Sequence, residues 1–540
     1  MKSSWVLLGI IIVAIVFRFV WLGSVPPGVT NDEASYIYNA YSLWKTGHDI
    51  TGAYLPLSIN LDNSFSPVPA YLIAPIVGIF GLSAFTGRVL MATTGVLLVY
   101  LLYLLGKRIS GQESIGLAAA FVLAVMPWHV HFSRTAYEAP LALFFYVLGM
   151  YLFLSKKSLR WIIVSFMCFL LGFYSYHATK LFFIAFFPFL LLGRYHFFKG
   201  SLRQMVGFSL AAIAIVVSFL VVMQYQHVNR GVIFLWNEMP RIQAIVNGER
   251  KLTLPPSRLT PLFINKGATF LRMVRENYLE AYSPQFLFLY GEVGGLASIY
   301  GTLNRGVLYL VELPLLLLGM TQLHRYVKKP LLYMIFGGFF LAGLPSALVN
   351  DKSYAVRAIM MIPFLALFIG TGISDSVSRV KKIPQLPKYA VLVGMILLYG
   401  YAIGSYAFQY FNRYPVYAAE SWFTSIRDLY SYIATKEQTG YAIQMANPGD
   451  LLIQFAFYGK IDPDLVRKVY KEPNPKQMGN ITFLNGCVDT HGAIFMMKNY
   501  FPPKTVYITK PECHKEATPS AVIRDRGEYL HVLWNIYESN

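Results

Sequence analysis

Two adjacent carboxylates, Asp32 and Glu33, stand in the run Pro26-Pro27-Gly28-Val29-Thr30-Asn31-Asp32-Glu33-Ala34-Ser35-Tyr36, directly after the first hydrophobic segment. A free carboxylate at the edge of an apolar stretch can take a proton from an incoming hydroxyl. Glu33 also has a structural reading: Thr30 is a good N-cap and Glu33 falls at the third position of the following helix, the pattern of a capping box. Asp32 has no such duty and is left for chemistry.

Other ionisable residues recur beside apolar segments. The run His129-Val130-His131-Phe132-Ser133-Arg134-Thr135-Ala136-Tyr137-Glu138 offers Glu138 either as part of a site or as the partner of Arg134 in an i, i+4 salt bridge. His129 and His131 read as satisfied interfacial histidines; the His-x-His spacing leaves a divalent ion open but supplies no ligand set for one. Arg357, at the start of a later apolar segment, either snorkels to lipid phosphate or clamps one phosphate with its planar fork. His177 and Lys180 offer a second cationic group. Carboxylates, cations and aromatic-rich walls together suit a reaction between a lipid-linked phosphate and a hydroxyl acceptor. No phosphate-binding loop and no dinucleotide glycine fingerprint is present.

The elements that must carry these residues are membrane spans. Of 540 residues, 56% are hydrophobic and 14% charged, too few polar groups to cover a soluble protein of this length. Apolar segments fall at about 5–22, 86–106, 115–128, 138–155, 160–176, 180–197, 205–223, 305–322, 331–349, 357–374 and 389–408, about eleven spans. The links Lys107-Arg108, Lys156 to Arg160, Arg194 to Arg203, Arg325 to Lys329 and Arg379 to Lys388 are basic, so the positive-inside rule puts them and the N-terminus in the cytoplasm. Asp32, Glu138, His177, Arg357 and the C-terminus then lie outside. The net charge of +19 is accounted for by these links beside anionic lipid, and no nucleic-acid motif occurs. In the first outer loop, Ala34, Ile37, Tyr41 and Trp44 oppose Ser35, Asn39 and Ser42, which predicts an amphipathic helix lying at the interface. A second interfacial or re-entrant helix is expected over 67–82, and Arg18 either snorkels or faces the interior.

A long outer loop runs from 224 to about 303, with turns at Pro255-Pro256, Pro284 and Gly294-Gly295. From about 410 short apolar runs (Leu451 to Phe457, Ala493 to Met497, Thr505 to Thr509) and a hairpin from Ala521 to Tyr537 around Arg526-Gly527 predict a small α/β domain outside the membrane. Cys487 and Cys513 are either a disulfide in that domain or two free thiols.

The ordered set of motifs resembles the GT-C superfamily of integral-membrane glycosyltransferases. The likeness is to the family 39 branch, dolichyl-phosphate-mannose protein mannosyltransferase-like and aminoarabinose-transferase-like. It rests on Asp32-Glu33 with Asn39-Ala40-Tyr41-Ser42 behind it, Leu55-Pro56-Leu57, and Pro127-Trp128-His129 through Arg134 and Glu138. Leu141-Ala142-Leu143-Phe144 and Tyr176-His177 follow, then Ser283-Pro284-Gln285-Phe286-Leu287-Phe288, Glu312-Leu313-Pro314-Leu315-Leu316 and Arg357. Bacterial relatives often carry an acidic residue after the glycine of the Ser-Pro stretch, and Gly291-Glu292 supplies Glu there. The resemblance implies a GT-C fold over 1–409, with a soluble domain over 410–540 that matches nothing tied to an acceptor. It implies transfer of a hexosyl or pentosyl group from a polyprenyl-phosphate-sugar to a protein, lipid or glycan hydroxyl at the outer face of the cell membrane, by inverting displacement. Asp32 is then the base, with Glu33 and Glu138 completing the catalytic set. Arg357, His177, Lys180 and Arg134 face the donor phosphate and lipid. Tyr36, Asp62, His129 and His131 line the acceptor side.

A flippase using the same groove without chemistry is the principal rival. It would be expected to show interrupted spans and midplane charges, whereas the ionisable residues here gather at one interface. A receptor whose outer domain binds a partner would have no need of Asp32.

Overall fold

The computed structural model describes residues 2–59, 65–225, 235–254, 259–294, 297–302, 304–350, 353–381, 384–446, 451–471, 476–490, 495–526 and 530–539. Asp62, the Pro255-Pro256 turn, Gly295, Ala493 and Gly527 lie outside the described residues.

The molecule is mainly helical, and each predicted apolar segment carries a helix. Among the described residues six helices are long and apolar enough to cross a bilayer by length and composition: Ala84–Ser110, Ala178–Phe198, Leu202–Tyr225, Lys329–Ala347, Ile359–Val380 and Leu392–Tyr417. Ser3–Phe19, Pro67–Phe80, Glu113–Val125, Ala139–Ser155 and Leu159–Phe173 are shorter apolar helices. The segment expected over 305–322 is helical only from Glu312, because Val307 and Leu308 donate to the Phe286 and Leu287 carbonyls and hold the chain extended. Two helices approach closely at the centre: a Cβ on Gly319 would meet the Phe368 carbonyl oxygen at 1.7 Å, and only glycine permits that spacing.

The segment expected over 115–128 stops at Val125. Pro127 has no N–H for the Leu123 carbonyl, and the Trp128 N–H goes instead to Val307 at 3.2 Å. Arg18 takes up the two released carbonyls, donating to Leu123 at 3.0 Å and Ala124 at 2.9 Å. A wholly buried arginine on the first helix is thus explained by a proline just past the end of helix Glu113–Val125, and of the two readings offered for Arg18 the interior one applies.

The helix Asn31–Thr46 forms as expected, capped by Thr30 and closed by Gly47 in the left-handed region. Its placement differs from the expected one. The side carrying Ser35, Asn39 and Ser42 is buried rather than wet. Asn39 accepts from the Ile50 N–H at 3.1 Å, Ser42 donates to the His48 carbonyl at 2.7 Å, and Arg467 reaches Ser42 and Thr46 at 3.1 Å each. Helical periodicity separates polar from apolar faces, but water and a hydrogen-bonding domain satisfy a polar face equally well.

That covering domain is the C-terminal one. Its six-stranded sheet has the order β2-β3-β1-β4-β6-β5, with β1 Ala442–Ala446, β2 Lys476–Met478, β3 Ile481–Leu484, β4 Thr505–Thr509, β5 Ala521–Arg524 and β6 Val532–Ser539. β1 runs parallel to β3 and β4, and the outer pairs are antiparallel, including the expected β5–β6 hairpin. The run Leu451 to Phe457 forms the helix Leu452–Gly459, which packs on the first-loop helix. Cys487 and Cys513 are disulfide-bonded. Tyr410, Tyr414 and Trp422 pack in the aromatic core of the bundle, past residue 409.

Candidate functional site

The adjacent carboxylates separate because successive helical residues point about 100° apart. Glu33 is wholly buried and accepts two parallel bonds from Arg88, Nε to Oε1 at 3.0 Å and Nη2 to Oε2 at 2.7 Å, with a third from the Ala136 N–H at 2.6 Å. The capping box is therefore half formed. Thr30 Oγ1 accepts from the Glu33 N–H, but the Glu33 carboxylate turns to Arg88. Arg88 also donates to the carbonyls of Leu22, Pro26 and Gly28, and so holds the whole loop that precedes the helix. Gly28 is needed there: a Cβ would lie 1.9 Å from the Trp422 carbonyl oxygen. Asp32 stays half-buried.

Asp32 belongs to a group centred on Tyr300. Burial first, then the charges of Asp32, Tyr176 and Glu138, push the Tyr300 hydroxyl well above its ordinary range, while the Arg357 guanidinium acts the other way. Four side chains from distant parts of the chain thus act on one hydroxyl. Tyr137 stands beside it, its ring 5.8 Å from Tyr300, its own hydroxyl raised by burial, Tyr300, Glu33 and Asp32. Phe132 stacks on Tyr300 at 6.1 Å and lies 6.4 Å from the Tyr137 ring. Neither tyrosine was legible as a site residue, since 38 tyrosines share the sequence and no spacing marks these two.

Arg357 ends a single helical turn, Tyr354–Arg357, that could not hold itself. Buried Glu292 caps it, accepting from the Tyr354 N–H at 3.0 Å and the Ala355 N–H at 2.7 Å. Trp128 Nε1 donates to the Ala355 carbonyl at 2.8 Å. The acidic residue after Gly291 is thereby tied to the placement of Arg357.

Three of the candidate residues make internal hydrogen bonds. His129 Nδ1 accepts from Arg18 at 2.7 Å, and the satisfied reading of the histidines is met. His131 donates from Nε2 to the Ile299 carbonyl at 2.7 Å and meets the Tyr410 hydroxyl with Nδ1 at 3.1 Å, so it fixes the backbone next to Tyr300. Arg134 donates to the carbonyls of Phe17, Val20 and Val25 at 2.7–2.8 Å, closing the end of the first helix, and lies over the Phe411 ring. Chain ends of helices carry carbonyls without partners, and a buried guanidinium is the group best fitted to collect them. Among the described residues no group of three or more His, Cys, Asp or Glu could hold a metal ion.

His177 and Lys180 line a narrow recess walled by Phe65, Tyr174, Phe219 and Met223. Lys180 Nζ lies 4.3 Å from the Phe219 ring centroid. Tyr36 joins the recess to the first-loop helix, its ring packed edge-on against Phe65 at 5.0 Å. The charges of Asp32, Glu138 and Arg357 thus all bear on Tyr300, as does Tyr176, which precedes His177 in the chain.

Residues 64–223 match the family model described as dolichyl-phosphate-mannose-protein mannosyltransferase. The fold is that of ArnT from Cupriavidus metallidurans in the apo state, at a TM-score of 0.51 and 14% identity, covering 99% of this chain and 98% of that one. The structure of ArnT from the same organism bound to undecaprenyl phosphate gives a TM-score of 0.50 at 14% identity, with the same coverage. No curated protein sequence matches the chain.

Proposed function

On the premise that this chain is built on the GT-C glycosyltransferase fold of the family 39 type, we propose that it moves a sugar from a polyprenyl-phosphate donor to a hydroxyl acceptor at the outer membrane surface. The observation that supports this reading is that the charges of Asp32, Glu138 and Arg357 all bear on the buried Tyr300 hydroxyl. Asp32 takes the proton of the acceptor hydroxyl. The acceptor oxygen attacks the anomeric carbon from the face opposite the phosphate, the bond from that carbon to the phosphate oxygen breaks, and its electron pair leaves on the lipid phosphate. Configuration inverts. Arg357, with His177 and Lys180 in the adjoining recess, holds the charge that grows on the leaving phosphate. Glu138 orients the acceptor, and the aromatic walls take the first part of the lipid. The C-terminal domain then lies outside the cell membrane and the N-terminus in the cytoplasm.

Purified protein in nanodiscs, offered a panel of polyprenyl-phosphate sugars with labelled sugar, is expected to transfer label to a hydroxyl acceptor. Asp32→Asn should cut turnover roughly 10²–10⁴-fold, the usual worth of a general base. Equal activity of Asp32→Asn and wild type would remove Asp32 from the mechanism. Passage of lipid-linked sugar across vesicles without transfer would favour the flippase.

A further inference from the structure

The outer segment after helix Leu202–Tyr225 contains a helical hairpin that the reaction does not use. Helices Met239–Lys251 and Lys266–Glu280 pack on each other through Ile242, Val246 and Thr269, and Arg272 pairs with Glu249 at 2.6 Å. Arg250 donates to the Ile264 carbonyl at 3.0 Å and closes the tip. The hairpin is therefore a built element, yet its tip is apolar and open: Leu252 is 89% exposed, Leu254 86%, Leu262 67% and Phe263 71%. Arg250, Lys251 and Lys266 stand around that tip, and from 250 to 266 there is no acidic residue.

The root of the hairpin is bonded to a membrane segment. Tyr278 donates to the Phe340 carbonyl at 2.9 Å, and Tyr282 to the carbonyls of Phe339 and Phe340 at 2.9 and 2.7 Å, in the last turn of Lys329–Leu341. Those bonds tie the hairpin to the second half of the span Lys329–Ala347. Helix Lys266–Glu280 is about 22 Å long at ~1.5 Å per residue. Standing out in water, it would hold four large apolar side chains in solvent. Lying flat, it would place them in the boundary between headgroups and acyl chains, with Leu271 and Leu279 on its exposed face toward the same lipid.

We propose that this hairpin lies on the outer leaflet as a monotopic anchor, its leucines and Phe263 in the acyl boundary and its cations against anionic headgroups. The occupant of the apolar tip is then the lipid surface, not a protein. A cationic tip without acidic residues favours an anionic bilayer over a neutral one.

The test uses the full chain in vesicles of phosphatidylglycerol and phosphatidylcholine. Cys168 is buried and Cys487 and Cys513 are bonded to each other, so a thiol introduced by Phe263→Cys takes a fluorophore selectively. Lipids brominated near the middle of the acyl chain should quench that label at least threefold more than a label at exposed Glu516→Cys on the outer domain. Lys251→Glu with Lys266→Glu should lower the quenching at Phe263→Cys in phosphatidylglycerol vesicles. Quenching equal to that at Glu516→Cys overturns the proposal. So does a label shielded from water but untouched by bromine, which would mean a protein occupant such as a second copy.

Discussion

The Arg88 guanidinium grips the Glu33 carboxylate by two parallel bonds, of 3.0 and 2.7 Å, with neither side chain exposed to solvent. The same arginine collects three carbonyls of the loop from Leu22 to Gly28, so the pair binds the start of the first-loop helix to helix Ala84–Ser110. Breaking a buried ion pair leaves an uncompensated charge and costs about 3–5 kcal/mol. Glu33→Ala should lower the thermal unfolding temperature of the detergent-solubilised protein by several degrees and abolish activity with it. Glu33→Leu combined with Arg88→Met should not restore stability, because the three carbonyls lose their donor as well. Full recovery in the double variant would show that the ion pair alone matters.

Glu292 should act on donor binding without touching the donor. Its carboxylate accepts both N–H groups at the start of the Arg357 turn. Glu292→Ala leaves those buried donors open and loosens Arg357, a loss of about 1–3 kcal/mol. Steady-state kinetics with a polyprenyl-phosphate sugar should show kcat/KM for the donor about tenfold lower, with acceptor KM little changed. Unchanged donor kinetics would separate Glu292 from Arg357.

Gln454 links the C-terminal domain to the segment that carries Asp32. It is wholly buried and donates from Nε2 to Asn31 Oδ1 at 2.8 Å and to the Val29 carbonyl at 3.3 Å, one and three residues before Asp32. Gln454→Leu should reduce turnover about five- to tenfold while the Cys487–Cys513 disulfide still forms, as read by thiol titration of the unfolded protein. A variant with full activity would mean that Asp32 is held by the bundle alone.

Acid should loosen the C-terminal domain through Glu538. Burial raises its pKa, but Lys436 at 2.5 Å and the Tyr432 hydroxyl outweigh this and hold Glu538 below the ordinary carboxylate value. A depressed folded value gives stability that is present above the unfolded pKa of about 4.3 and is lost as pH falls through the folded one. Glu538→Gln should lower the unfolding temperature at pH 7, by about 1 kcal/mol of stability for a partly exposed pair, and the difference from wild type should vanish near pH 3. A constant difference across that range would assign the effect to packing.

The membrane class, the order of apolar segments, the first-loop helix with its Thr30 cap and the C-terminal α/β domain were determined by the sequence alone, because they rest on local period and composition. The resemblance named Asp32, Glu33 and Glu138 as the catalytic set and Arg357, His177, Lys180 and Arg134 for the donor; the charges of Asp32, Glu138 and Arg357 are among those that bear on Tyr300. What only the tertiary structure decided is the division of labour among the buried charges. Arg18, Arg88 and Arg134 bind backbone carbonyls released by a proline, a loop and a helix end, and no spacing in the chain announces which carbonyl a guanidinium will reach. Asp32 and Glu33 are adjacent letters of equal chemistry. One is drawn into a buried pair because Arg88 approaches from a helix 55 residues away, and the other stays half-buried, its charge bearing on Tyr300.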